Sequence, residues 1–182
     1  GPWPAVPVHE AVSKACGVTL TSASTREEVA AVCEAHGIDA PREKSAGELV
    51  VELYDELVEA RTTSPTFYTD FPVETSPLVR AHRSVPGVVE KWDLYVRGFE
   101  LATGYSELVD PVVQRERFED QARLAAGGDE EAMVLDEDFL AAMEQGMPPT
   151  AGTGMGMDRL LMALTGLGIR ETVLFPLVKP EQ

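Results

Sequence analysis

The sequence predicts an α+β domain: an antiparallel sheet flanked by helices. Three observations predict it. Capped amphipathic helices fill the first sixty residues, and from Pro65 the chain turns β-branched and aromatic. No regular strand–helix–strand alternation links the strand signals, which argues against a parallel sheet. The chain has 182 residues, 44% of them hydrophobic, enough for one buried core. It divides into a mainly helical segment over 1–62 and a sheet-bearing segment over 63–182, with no internal repeat.

Val8 to Cys16 carries Val8, Val12 and Ala15 or Cys16 on one side of a short helix. Thr25 with Glu28 forms a capping box that opens a second helix, and Gly37 marks its end. Ser45 with Glu48 opens a third, with Leu49, Val50, Leu53, Leu57 and Val58 at helical spacing. Thr66 to Phe71, bounded by prolines, reads as a strand, and residues 76–87 read as a loop containing His82. Val88 to Leu101 gives the longest strand signal, with Trp92, Leu94 and Val96 alternating with Asp93, Tyr95 and Arg97. Asp110-Pro111 opens a helix running to about Ala126 and stopping at Gly127-Gly128. Another starts at Asp136 or Glu137 and ends at Gly146. The tract from Gly152 is a strand, followed by a helix stopping at Gly166, and Thr172 to Phe175 is expected as a final strand.

Charge and cysteines narrow the setting. The net charge is −16, from 31 acids against 15 bases, so the surface as a whole repels nucleic acid. Basic contacts to RNA or to a lipid headgroup would have to be local or carried by another domain. No run of about 18 apolar residues occurs, and no basic, apolar leader is recognisable. Direct membrane contact from this segment is not expected. Cys16 and Cys33 lack a metal or redox spacing and read as reduced core thiols of a cytoplasmic protein. His9, His36 and His82 form no ligand spacing.

Two stretches could carry chemistry. Gly152-Thr-Gly-Met-Gly-Met-Asp-Arg159 puts three glycines at alternate positions ahead of a helix, a side-chain-free ridge that a ligand can approach. Arg159 falls in the first helical turn, where the dipole disfavours a cation by roughly 0.3–1 kcal/mol. A bound anion would remove the conflict; close strand–helix packing is the alternative explanation of the glycines. In Glu100-Leu-Ala-Thr-Gly-Tyr-Ser-Glu107, two carboxylates seven apart fall on opposite faces of an unbroken strand. A bulge or turn at Thr103-Gly104 could bring them together as hard oxygen ligands for Mg²⁺. Two surface glutamates remain the other reading.

With both stretches in view, the glycine tract resembles motif 3 of class II aminoacyl-tRNA synthetases. The Glu100–Asp110 stretch and Gly146-Met-Pro-Pro-Thr150 make the likeness one to lysyl-tRNA synthetases. Pro65-Thr-Phe, Thr75-Ser-Pro-Leu78 and Val173-Leu-Phe-Pro176 extend it over most of the chain. Within that family, Phe67–Pro72, Ala81–Ser84, Leu124–Asp129, Ile169–Thr172 and Thr103 are most similar to the synthetase domain of actinobacterial bifunctional lysylphosphatidylglycerol-forming lysyltransferases. In ordinary lysyl synthetases the position of Thr103 is usually Asn.

The resemblance implies ATP-dependent activation of lysine to lysyl-adenylate, then transfer to tRNA(Lys). It implies that Arg159, with Gly156, Asp158 and Glu100, binds ATP, and that Glu100 and Glu107 hold Mg²⁺. Glu107, Tyr105 and Thr103 would contact lysine. The family's dimer element and second ATP-binding arginine normally precede the segment matched here. The implied partners are therefore the other half of the catalytic domain and, in the parent, a second subunit. The fragment alone is expected to be inactive. Two other readings stay open: lysyl transfer to a protein acceptor such as elongation factor P, and a non-catalytic module that senses lysine or binds a partner.

Overall fold

The computed structural model describes residues 1–126 and 135–175. Its centre is a five-stranded sheet in sequential order: β1 (Ala5–Pro7), β2 (Thr66–Thr69), β3 (Lys91–Val96), β4 (Phe99–Ser106) and β5 (Ala151–Met155). Only β1 runs parallel to its neighbour; the other pairings are antiparallel. The α+β class with a flanked, mostly antiparallel sheet is therefore what the chain adopts.

The helices begin where side chains can satisfy free backbone N–H groups. Thr25 and Ser45 close full capping boxes with Glu28 and Glu48 at the heads of α2 (Arg26–Ala35) and α3 (Ala46–Leu57). With α1 (Val8–Cys16) they form a layer on one sheet face, here face I. The main core lies between, with Val8, Val12, Val29, Leu49 and Leu53 fully buried. Tyr54 of α3 meets Tyr68, Phe71 and Tyr95 edge-on, with ring centroids 5.1–5.8 Å apart. Cys33 sits in this core and Cys16 packs beside it, both as free thiols that burial pushes up in pKa. On face II, Leu94, Leu101 and Ala102 pack with Phe67, Trp92 and Leu160. Helices α4 (Pro111–Ala126) and α5 (Glu137–Glu144) pack together, and α6 (Met157–Thr165) and α7 (Ile169–Thr172) follow β5. No helix among the described residues is long and apolar enough to cross a membrane.

Two expected strands differ. Val88 to Leu101 is not one strand but a hairpin, because Arg97 and Gly98 both take positive φ (55° and 82°) and turn β3 into β4. Arg-Gly lacks the Asn or Asp that usually announces such a turn. Thr172 to Phe175 is not a strand: Thr172 ends α7, and Leu174 and Phe175 lie exposed with no sheet neighbour. The expected stop at Gly127-Gly128 lies outside the described residues, as does Pro176.

Candidate active site

The bulge that aligns the two glutamates is not where the sequence suggested. Thr103 and Gly104 pair regularly with Asp93 and Trp92. Gly104 is required because the Trp92 ring lies against its Cα, leaving no room for a Cβ. The register breaks instead between Glu100, opposite Tyr95, and Ala102, opposite Leu94, so Leu101 is the extra residue. Leu101 and Ala102 consequently point the same way, into the face II cluster. That one residue restores parity, and Glu100, Thr103 and Tyr105 all share face I with Lys91, Asp93 and Tyr95.

The glycine ridge completes the floor. Gly152 and Gly154 oppose Tyr105 and Thr103, which puts them on face I as well. A Cβ at Gly152 would run into the Glu107 carboxylate, whereas one at Gly154 would meet only Thr103 Cγ2, at 3.9 Å. Gly156 donates its N–H to the Leu101 carbonyl (3.0 Å) and caps α6. Asp158 and Arg159 occupy the first turn of α6, both exposed. Arg159 reaches back to donate from Nη1 to the Glu100 carbonyl at 2.9 Å.

Two adjoining cavities open on this face. The first, about 350 Å³, includes Tyr54, Asp55, Glu59, Asp93, Glu100 and Arg159 in its walls. Asp93 is 3% exposed; its Oδ2 lies 2.9 Å from Lys91 Nζ, and its Oδ1 is buried without a partner. Burial, and then Asp93, raise the Glu100 pKa against the opposing pull of Lys91 and Arg159. The second cavity, about 270 Å³, runs from Glu100 past Thr103 to Tyr105, under Thr75 to Val79. Burial and the neighbouring Glu107 raise the Tyr105 pKa, while burial alone raises that of Glu107.

The shared-ion pairing of Glu100 with Glu107 is therefore corrected. They lie on one face but at opposite ends of β4, roughly 20 Å apart at the strand's rise per residue, and Glu107 is not among the charges that shift Glu100. The carboxylate that faces Glu100 is Asp93, which the sequence reading missed. Its signal was a charged residue in mid-strand on the same face as Lys91 and Tyr95, alternating with Trp92 and Leu94. Hard oxygens of this kind, one desolvated and one unpartnered, fit a divalent cation. Glu107 belongs instead with Tyr105 and Gly152.

Comparison with known proteins shows the family of the chain. Residues 1–179 match the family described as tRNA synthetases class II (D, K and N). The lysine–tRNA ligase of Kineococcus radiotolerans is 62% identical over 181 residues, covering 99% of this chain and 36% of that protein. That of Mycobacterium tuberculosis is 57% identical over 186 residues, covering 99% and 37%. The lysylphosphatidylglycerol biosynthesis bifunctional protein LysX of Nocardia farcinica is 56% identical over 180 residues, covering 99% of this chain but 16% of that protein. The chain thus spans little more than a third of the ligases it matches.

Proposed function

The chain belongs to the class II tRNA synthetases of the D, K and N group, and on that premise we propose that it forms one wall of a lysine–tRNA ligase active site. The reaction is ATP plus lysine to lysyl-adenylate and pyrophosphate, followed by lysyl transfer to tRNA(Lys). The observation that carries the reading is the convergence of Asp93, Glu100, Tyr105 and the glycine ridge on one sheet face, with Arg159 at its edge.

Each part has a role that its surroundings support. Attack of the lysine carboxylate oxygen on the α-phosphorus expels pyrophosphate, and it needs positioning and charge neutralisation rather than a protein nucleophile. Arg159 carries the positive charge at the edge of the floor and holds the triphosphate. Asp93 and Glu100 would hold Mg²⁺, which when bound supplies further positive charge against the phosphate oxygens. Gly154 leaves the floor bare so that the nucleotide can lie against the backbone. The lysine side chain runs along Thr103 and the Tyr105 ring toward the Glu107 carboxylate, which receives its ammonium. The opposite wall, the dimer contact and the bulk of tRNA recognition come from the remainder of a cytoplasmic parent protein.

The test is lysine-dependent ATP–pyrophosphate exchange by the intact protein that carries this chain. Asp93→Asn and Glu100→Gln are each expected to lower it by about 100-fold or more. Exchange driven by another amino acid would overturn the lysine assignment. Exchange by the isolated 182 residues would overturn the one-wall description.

A further inference from the structure

We infer that the groove between the start of α3 and the outer side of α4 is a docking surface for an RNA backbone, leading a 3′ strand into the cavity at Tyr105. The inference rests on the ligase reading and adds where the acceptor lies. In a chain with 15 basic residues against 31 acidic ones, Arg26, Arg42, Lys44, Arg117 and Arg123 all line this one groove of about 600 Å³. Five of 15 cations therefore gather here against four carboxylates, a small local excess of positive charge on a chain of net charge −16. Of those carboxylates, Glu48 accepts the Ser45 N–H in the α3 capping box, Asp120 pairs with Arg123, and Glu43 and Glu74 stand beside them, while Lys44 pairs with Glu52. Arg26 fixes the loop carrying Arg42 and Lys44 by donating to the carbonyls of Ala40, Pro41 and Lys44.

Arg117 gives the groove its polarity. It is half-buried, donates to the carbonyls of Ser76 and Val79, and burial depresses its pKa. Among the described residues no carboxylate pairs with Arg117 or with Arg42. A partly desolvated guanidinium without a counter-charge is unfavourable, and a phosphate oxygen would supply one. The Ser76–Val79 segment is also a shared wall. Its carbonyls face Arg117 on one side, and its residues line the cavity with Glu100, Thr103 and Tyr105 on the other. A strand whose 3′ end enters that cavity would cross this wall and lay its phosphates in the groove.

The experiment measures binding of a labelled tRNA(Lys) transcript to the intact protein over a salt series. Arg42→Ala, in an exposed loop, is expected to weaken binding about threefold and to flatten the slope of log Kd on log salt by roughly 0.7, the value for one single-strand phosphate contact. Adding Arg117→Gln should bring the loss to about tenfold, with pyrophosphate exchange, which uses no RNA, reporting that the fold survives. Unchanged Kd and slope in Arg42→Ala and in a double variant that still catalyses exchange would overturn the proposal. So would loss of binding to phosphatidylglycerol vesicles with RNA affinity intact, which would reassign the groove to a lipid surface. Wild-type protein that binds RNA through these residues but lacks lysine-dependent exchange would sink the ligase reading and still support the groove.

Discussion

Helices α3 and α6 carry the same kind of apolar stripe, yet they end in opposite environments. Leu49, Val50, Leu53 and Tyr54 of α3 are at most 1% exposed, whereas no described residue of α6 is buried, and Leu161 and Leu164 are 44% and 73% exposed. The first helix is sealed between α1, α2 and the sheet. The second rests on β4 through Leu160 and leaves the rest of its stripe in solvent. Most of the packing and most of the candidate site thus lie in different places: α1–α3 cover the sheet, and β3, β4, β5 and α6 present Asp93, Glu100, the glycines and Arg159, with Tyr54 and Asp55 of α3 at the boundary.

Mutations at the two helices should make that division measurable. Leu53→Ala removes a fully buried side chain and should cost about 3 kcal/mol or more, while Leu164→Ala should change stability by less than about 0.5 kcal/mol. Denaturant unfolding of the two variants checks this, and equal losses would break the comparison. Glycines sharpen it at intermediate size. Gly104→Ala drives a methyl into the Trp92 ring and should destabilise by about 1–3 kcal/mol. Gly154→Ala meets open space in the protein, so stability should hold while ATP affinity of the intact protein falls about tenfold, or 1.4 kcal/mol. Calorimetric titration separates the two effects.

A small, pH-dependent effect belongs to Asp55, at the rim between the sealed and open regions. Burial, then Glu59, push its carboxyl up to about 6, from an unfolded value near 3.8. The folded state binds the extra proton, so this stabilisation is present below about pH 4 and is lost as pH rises through about 6. Asp55 is surface-exposed on one side, and solvent screening holds the effect below about 1 kcal/mol. Asp55→Asn should abolish that pH dependence in melting curves between pH 4 and 7, and an unchanged slope would refute it.

Local rules carried far where one segment decides its own structure. Thr25, Ser45, Asp136 and Gly166 announced helix ends through capping groups and a left-handed residue, and all four act there. Arg159 and the glycine ridge could be singled out for a similar reason, since glycines at every second position of a strand all fall on one face. What stayed hidden depends on pairing between segments. The Arg97-Gly98 turn is specified by the register of β3 on β4 rather than by a strong turn pair. Asp93 looked like the polar half of an ordinary strand, and only the fold brings it to Glu100. The bulge at Leu101 was equally invisible, because nothing in Leu-Ala tells two inward side chains from one inward and one outward.

That bulge has a consequence for how the chain can vary. It works as a one-residue phase shift in the pleat, letting an odd separation, seven, do the work of an even one. Deleting Leu101 would not merely shorten β4. It would turn either Glu100 or the set Thr103, Tyr105 and Glu107 from face I to face II. Substitution at Leu101 can be graded by size and polarity, but its presence is all or nothing. The spacing between the two glutamates is therefore fixed more strictly than the residues that fill it.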